Sequence, residues 1–398
     1  MSVPKILFIS HESSRSGAPL LLVKFIRWLV KEGKAKPVML INRRGVLDHE
    51  FKALGKTYFF YQKRSSIGRN LFYKASTRLH NSANGKRRYM RRLKDRLSAS
   101  KPDLIWSNTI GNGEIISFCQ FLRVPVITHV HESRYVIGLL GEENFGLNKQ
   151  LTDHFIACSD VVERDLSERS IPASAISLIY SSVDPGILQE KHPLEDPNKV
   201  LQHALSNRYP IIGGSGGEGL IKGTDLIISL VEEIRKTTPG ILFIWVGGDL
   251  RSAECMALQA TIEEKGLENN IYITGPVADA MVYFSLFNVF VLLSRTDSFP
   301  LACLENGLLG NPFVCFRDRV GVQVLLDHKF EENIIPFLDI PAMAERINEL
   351  LKDPGKSKLI GAEIKKTILE KYTNDVCFPL LNDVIAKHYS KRSVFAIK

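Results

Sequence analysis

Short apolar runs alternate with helix-period stretches along most of the chain. Lys5–Ser10 reads as a buried strand. A polar, glycine-containing loop follows from His11 to Pro19. A helix is predicted from about Pro19 to Lys31, with Leu22, Phe25, Ile26 and Leu29 on its apolar side. Pro37–Ile41, Thr57–Tyr61, Asp103–Ser107, Pro125–Val130, His154–Cys158 and Ala175–Tyr180 read as further strands. Strand, helix and strand repeated in this way imply a parallel sheet covered on both faces.

A polar, proline-bearing stretch from Asp184 to Pro197 interrupts the pattern, which then restarts. Strands are predicted at Pro210–Gly213, Ile241–Val246, Asn270–Thr274, Asn288–Leu293 and Pro312–Phe316, with helices at Thr224–Arg235 and Ala253–Lys265. Helices from about Ala342 close this half. The expected organisation is two doubly wound α/β domains, residues 1–187 and 188–375. The final helix, near Val376–His388 within 376–398, crosses back to the first. Two such domains are expected to face each other across a cleft at the carboxyl ends of their sheets, where ligands bind in folds of this kind.

A chain of 398 residues is long for one core, in keeping with two domains. Its 44% hydrophobic and 24% charged content is that of a soluble globular protein. No apolar run is long enough to span a bilayer, and the start shows no signal-peptide pattern. The six cysteines are scattered, without paired metal spacing. These features together predict reduced thiols and a cytoplasmic location, either free or peripheral at the inner face of the cytoplasmic membrane.

The net charge of +9 is uneven. Thirteen Lys and Arg fall between Lys63 and Lys101, opposed only by Asp95 and interspersed with Phe72, Tyr73, Tyr89, Leu93 and Leu97. This segment is either a solvated basic helical hairpin or a surface that meets anionic lipid headgroups or a polyanion. It carries no recognised nucleic-acid-binding module, so no nucleic acid partner is expected.

Three loops carry candidate chemistry. The first is the loop after the opening strand, where Gly17 precedes the helix and lets backbone approach a ligand closely. The second is Thr128–Ser133, in which His129, His131 and Glu132 fall at a strand end. His-X-His also suits a metal, but no third ligand is apparent, so no metal is expected. The third is Gly213–Asp225, rich in glycine and holding Lys222, a sensible diphosphate site at the start of a helix. It contains Gly214-X-Gly216-X-X-Gly219, a dinucleotide fingerprint. The ribose-binding acid expected about 20 residues on is missing, which makes a nicotinamide-dependent dehydrogenase a poor alternative. Beyond these, the run from Ser294 to Pro312 places Asp297 on a strand-to-helix loop. Seven residues separate it from Glu305, about two turns inside the helix, and the helix N-terminus near Pro300–Ala302 offers free N–H groups to a phosphate.

At this point the chain resembles the retaining glycosyltransferases of family 4, which have the two-domain GT-B fold. The resemblance rests on an ordered series: Lys222-Gly223, Trp245-Val-Gly-Gly-Asp249, Ile273-Thr-Gly-Pro276, Asn288 to Arg295, Asp297 to Glu305, and Gly310-Asn-Pro312. The loop from His11 and the His129–Glu132 stretch look like a bacterial branch associated with surface polysaccharide assembly. The resemblance implies a sugar moved from a nucleotide-sugar donor to a hydroxyl of a glycan or lipid-linked acceptor, with retained configuration and without a bound metal or cofactor. It puts the acid pair on Asp297 and Glu305, with aspartate where glutamate is commoner. Lys222 would hold donor phosphate, and Glu305 the ribose hydroxyls. Many members carry an arginine at the place of Gly216, where a backbone nest or another basic residue would have to substitute. His131 fits the histidine near the donor sugar, with His129 the runner-up. Gly17, Gly216, Gly217, Gly247, Gly248, Pro276, Val277, Phe299, Pro300, Leu301 and Ala302 fall on the donor side. His11, Arg15, His129 and Glu132 fall toward the acceptor. A non-catalytic relative that binds sugar nucleotide or glycan is the alternative.

Overall fold

The computed structural model describes residues 2–63, 65, 71–189 and 193–395, with the side chains of 71–75 and 391–395 left aside. Arg64, Arg69 and His192, together with the Phe72, Tyr73 and Lys74 side chains, therefore lie outside the described part. The chain forms two compact units, Met1–Ile179 with Phe378–Lys398, and Tyr180–Cys377.

The first unit is built on seven parallel strands: β1 Lys5–Glu12, β2 Lys36–Arg43, β3 Lys56–Phe59, β4 Leu104–Ser107, β5 Val126–Val130, β6 His154–Ala157 and β7 Ile176–Leu178. Their order is β3-β2-β1-β4-β5-β6-β7. Ile6, Leu7, Phe8 and Ile9 of β1 are all fully buried. A strand covered on both faces needs apolar residues at every position, which is why it reads as a continuous run. The Gly17–Lys31 helix buries Leu21, Leu22, Phe25, Ile26 and Leu29. Phe25 packs on Trp106 of β4, 5.2 Å between ring centroids, and on Phe378 at 5.3 Å.

The second unit repeats the plan with six parallel strands: β8 Ile211–Ser215, β9 Leu242–Val246, β10 Ile271–Ile273, β11 Val289–Leu292, β12 Phe313–Phe316 and β13 Ile334–Ile335, in the order β10-β9-β8-β11-β12-β13. The two-residue edge strand β13 was not expected, because a pair of isoleucines is too short to show a period. The predicted Thr224–Arg235 helix begins later. Thr224–Leu226 is a 3-10 turn, and the α-helix runs from Ile227 to Arg235.

The sequence puts the domain boundaries at 187/188 and 375/376, whereas the units divide at Ile179/Tyr180 and Cys377/Phe378. The bonding of 182–183 accounts for the first shift. Val183 N–H donates to Tyr372 O at 2.9 Å, and Ser182 Oγ donates to Asn374 Oδ1 at 2.8 Å. In both sheets the strand order reverses between neighbours, β1 with β4 and β8 with β11. Crossovers leave in opposite directions there, which opens a crevice at the carboxyl ends of the strands.

Candidate active site

In the second unit the crevice is bounded by the loops after β8 and β11. Gly213 and Gly214 belong to β8 itself. A Cβ at Gly214 would lie 2.7 Å from Val291 O and 2.8 Å from the Trp245 ring, so strand packing requires this glycine. No helix opens until Thr224, so the apparent dinucleotide fingerprint is part strand and part loop, and the structure lends it no support. Gly216 does not form an open backbone nest either. Its N–H donates to Val246 O at 3.1 Å, and its carbonyl accepts from Trp245 Nε1 at 3.2 Å. Gly247, at φ +119, comes so close to Gly216 that a Cβ would strike its carbonyl, and its N–H donates to Thr274 Oγ1 at 3.2 Å. Gly217 is exposed, and Gly248 lies beside Glu218. Pro276 is exposed and Val277 half-buried.

Lys222 sits in the turn just before Gly223, the N-cap of the Thr224–Leu226 3-10 turn that leads into the helix. Gly223 adopts φ +74, and a Cβ there would strike Leu293 O, so the turn accepts only glycine. The turn aims Lys222 across to the next loop, where Nζ donates to Asp297 Oδ2 at 2.5 Å. Ser294 Oγ donates to the same oxygen at 3.5 Å. Backbone bonds fix Asp297: its N–H donates to Arg319 O at 3.0 Å, and its carbonyl accepts from Gly321 N–H at 3.1 Å. The Asp297 carboxylate raises the Lys222 pKa above its ordinary value, so the lysine is a cation at neutral pH. Cys303 lies buried close by, and burial pushes its thiol far up, leaving it neutral.

The following helix runs from Leu301 to Leu308 with Pro300 at its N-cap and no side-chain cap. Pro300 has no side-chain acceptor to offer the first-turn N–H groups of this helix. Glu305 is its fifth residue, little more than one turn in rather than two. Leu304 and Leu308 anchor the buried face. Phe299, expected on the donor side, has a buried ring. Its side chain is 4% exposed and packs against Tyr180 at 5.2 Å and Tyr372 at 5.5 Å, so it serves the core.

Arg295 was not singled out by the sequence. It binds Asp225 and Leu220 O, both in the loop that carries Lys222. The signal available was only an arginine two positions before the acid.

In the first unit the crevice holds the histidines. His129 is the last residue but one of β5 and His131 follows the strand, their rings 4.0 Å apart. Burial lowers the pKa of His129 well below its usual value and brings His131 to about 3, so both are neutral. Glu132 is used within the protein. It accepts from Thr109 Oγ1, from Ile110 N–H at 3.2 Å and from His131 N–H at 3.1 Å. Burial raises its pKa despite these bonds. His11 Nε2 lies 3.6 Å from Glu12 Oε1. Ser14 and Ser16 also give their hydroxyls to Glu12, at 2.5 and 3.0 Å. Ser16 therefore leaves the helix that begins at Gly17 without a side-chain cap, and Arg15 and Gly17 are exposed. A separate groove of about 790 Å³, lined by Arg43, Tyr61, Lys63, Lys86, Glu114 and Asn144 among others, opens beyond the ends of β2, β3 and β4. Among the described residues no group of three or more His, Cys, Asp or Glu is placed to hold a metal.

Residues 202–367 match the family model "Glycosyl transferases group 1", and residues 57–186 match "Glycosyltransferase Family 4". A Staphylococcus aureus poly(ribitol-phosphate) alpha-N-acetylglucosaminyltransferase is 23% identical over 155 residues, 39% of this chain and 31% of that protein. A Rhizobium meliloti lipopolysaccharide core biosynthesis glycosyltransferase is 22% identical over 182 residues, 46% of this chain and 51% of that protein. The matches thus span about a third to a half of these curated relatives. Among solved structures, Anabaena HepE in complex with UDP and glucose superposes with a TM-score of 0.75 at 18% identity, covering 98% of this chain and 100% of that one. Sucrose-phosphate synthase from Thermosynechococcus elongatus gives 0.73 at 19%, covering 99% and 100%. Matched in both units and folded as two doubly wound sheets, the chain belongs to the group 1 and family 4 glycosyltransferases of the GT-B fold.

Proposed function

We propose that this protein transfers a sugar, with retained anomeric configuration and without a bound metal, from a nucleoside-diphosphate sugar to a hydroxyl of a glycan or lipid-linked acceptor in the assembly of a bacterial surface polymer. The observation that carries this reading is the Lys222–Asp297 pair, set at the strand-order reversal beside a helix N-terminus whose N-cap residue is Pro300. A departing diphosphate needs charge stabilisation when the glycosidic bond breaks. An oriented lysine and the N–H groups of a helix N-terminus would supply it in a place already organised before the donor arrives. Asp297 holds Lys222 charged and aimed until phosphate competes for it. Glu305, one turn into the same helix, would accept ribose hydroxyls. On the first unit, His131 would offer a neutral imidazole at the crevice of that unit, and the groove lined by Tyr61, Glu114 and Asn144 would take the acceptor. HepE was solved with UDP and glucose, and the relatives named for lipopolysaccharide core and poly(ribitol-phosphate) support both the donor class and the acceptor class.

One observation favours a non-catalytic binder instead. Gly216 stands where many relatives have a second cation, and the charge on Lys222 is already matched by Asp297. Calorimetry with UDP-, GDP-, ADP- and dTDP-linked sugars, followed by transfer assays, separates the two readings. The enzyme reading expects one donor to bind and turn over, with Glu305→Gln and Lys222→Ala losing transfer. Binding without turnover for any acceptor supports the second reading, and no nucleotide binding at all removes both.

A further inference from the structure

The Ala83–Ser100 helix packs on the first sheet through Leu93 and Leu97, which share a core cluster with Tyr58 and Phe60. Its other faces carry Lys86, Arg87, Arg88, Arg91, Arg92, Lys94 and Arg96 against one carboxylate, Asp95. Arg88, Arg92 and Arg96 recur every fourth residue, so they follow one another along one side of the helix about 6 Å apart. That side faces β3, the edge strand of the sheet, and between them lies a cavity of about 470 Å³. The three arginines line it together with Thr57, Tyr89 and Leu79. All three are exposed, and none has a carboxylate partner among the described residues. Like charges at this spacing repel and weaken a helix, so the stripe carries a cost that an external anion would relieve.

The surroundings point to a surface rather than a small anion. The stripe spans about 12 Å of a helix about 27 Å long, so an extended anionic face can engage all of it at once. Leu79, at the rim, is 65% exposed. An apolar side chain beside basic ones suits the boundary between headgroups and acyl chains. His80 and Tyr89 line the cavity, and both pack on Tyr61, at 5.0 and 5.7 Å between centroids. Tyr61 in turn lines the groove assigned above to the acceptor.

We propose that this arginine stripe docks the protein on an anionic phospholipid bilayer, with headgroup phosphate entering the cavity between β3 and the helix. Docking there would hold the acceptor groove close to lipid-borne substrate. The proposal rests on the glycan or lipid-linked acceptor reading, but its test measures vesicle binding and not transfer, so the two can fail separately.

The test is cosedimentation of the whole chain with phosphatidylcholine vesicles, and with phosphatidylcholine mixed with phosphatidylglycerol. The expected result is binding only to the mixed vesicles, weakened by salt. Replacing all three arginines, Arg88→Gln with Arg92→Gln and Arg96→Gln, should lower the partition coefficient by about a hundredfold. A control with Lys352→Gln, Lys358→Gln and Lys366→Gln removes the same charge from exposed positions of the second unit and should bind as the unaltered protein does. Equal binding to both vesicle types by the unaltered protein overturns the proposal, whatever the variants do. So does an equal loss in the control, which would reduce the effect to net charge. Calorimetric binding of inorganic pyrophosphate at the stripe, with no vesicle binding, would assign the site to a soluble anion and also overturns it.

Discussion

Arg295 meets Asp225 as a planar fork, with Nη1 and Nη2 each donating to one carboxylate oxygen at 2.7 Å. Nη1 also donates to Leu220 O at 2.7 Å, and the Arg295 N–H donates to Ile221 O at 2.8 Å. Lys222 lies inside this bracket, and Asp297 follows the arginine by two residues. One guanidinium therefore ties the loop that carries the cation to the loop that carries the acid. Lysine cannot reproduce a bidentate fork. Arg295→Lys should change stability by no more than about 1 kcal/mol, because Asp225 is 46% exposed and surface pairs contribute little. It should lower kcat/KM for the donor by about tenfold to a hundredfold through misplacement of Lys222. Denaturant titration and steady-state kinetics read the two effects. An unchanged kcat/KM would reduce the fork to loop packing.

The Lys222–Asp297 pair makes a statement about pH. Asp297 raises the lysine pKa in the folded state. A raised folded pKa means that the stabilisation is complete below the unfolded value, about 10.4 for lysine. It is lost as the pH climbs through the folded value. The difference in stability between the unaltered protein and Lys222→Met should therefore be flat from pH 6 through neutral pH and shrink as the pH climbs on the alkaline side. Thermal unfolding midpoints of both proteins from pH 6 upward test this. A difference that shrank between pH 8 and pH 6 would contradict the assignment. In kinetics, Lys222→Ala should cost about a hundredfold to a thousandfold in kcat, the usual effect of removing one donor that stabilises developing charge.

Both sheets were legible because their central strands are buried on both faces and read as unbroken apolar runs. Val289–Leu292 and Leu242–Val246 could hardly be anything else. The site was legible in its residue types, Lys222 and Asp297 among them, because chemistry at a strand end needs a charge on a short loop. What stayed hidden was partnership. No period in the sequence tells that Lys222 turns to Asp297, since that depends on Gly223 at positive φ under Leu293. Nor does it tell that Glu132 braces the Thr109–Ile110 turn, a contact 22 residues distant in sequence. Gly214 misled for a related reason. A glycine needed for packing against Trp245 looks the same as one needed for phosphate approach.

Phe299 lies inside the acid-to-acid segment and yet points into the core. With Tyr180 and Tyr372 around it, Phe299→Ala should leave a cavity and cost about 3–5 kcal/mol. Nucleotide affinity at a temperature where the variant remains folded should be nearly unchanged. Chemical denaturation paired with calorimetry reads both quantities. A large loss of affinity with little loss of stability would return Phe299 to the donor site.

His129 and His131 are buried as neutral rings, and acid should expose the cost. Their folded pKa values are depressed by burial, that of His131 to about 3. An unfolded histidine takes up its proton near pH 6.5, where the folded one does not. Between these values the unfolded chain binds more protons, so stability falls as pH falls. The slope approaches about 1.4 kcal/mol per pH unit for each histidine that behaves this way. The thermal midpoint should therefore decline from about pH 6.5 downward, and His131→Asn should flatten part of that decline while leaving the neutral plateau near its original height. Nitrogen-15 spectra of the imidazoles offer the direct check. Both rings should keep neutral shifts down to about pH 5. A charged His131 at pH 6 would remove the neutral ring from the crevice of the first unit and overturn this account of the acid limb.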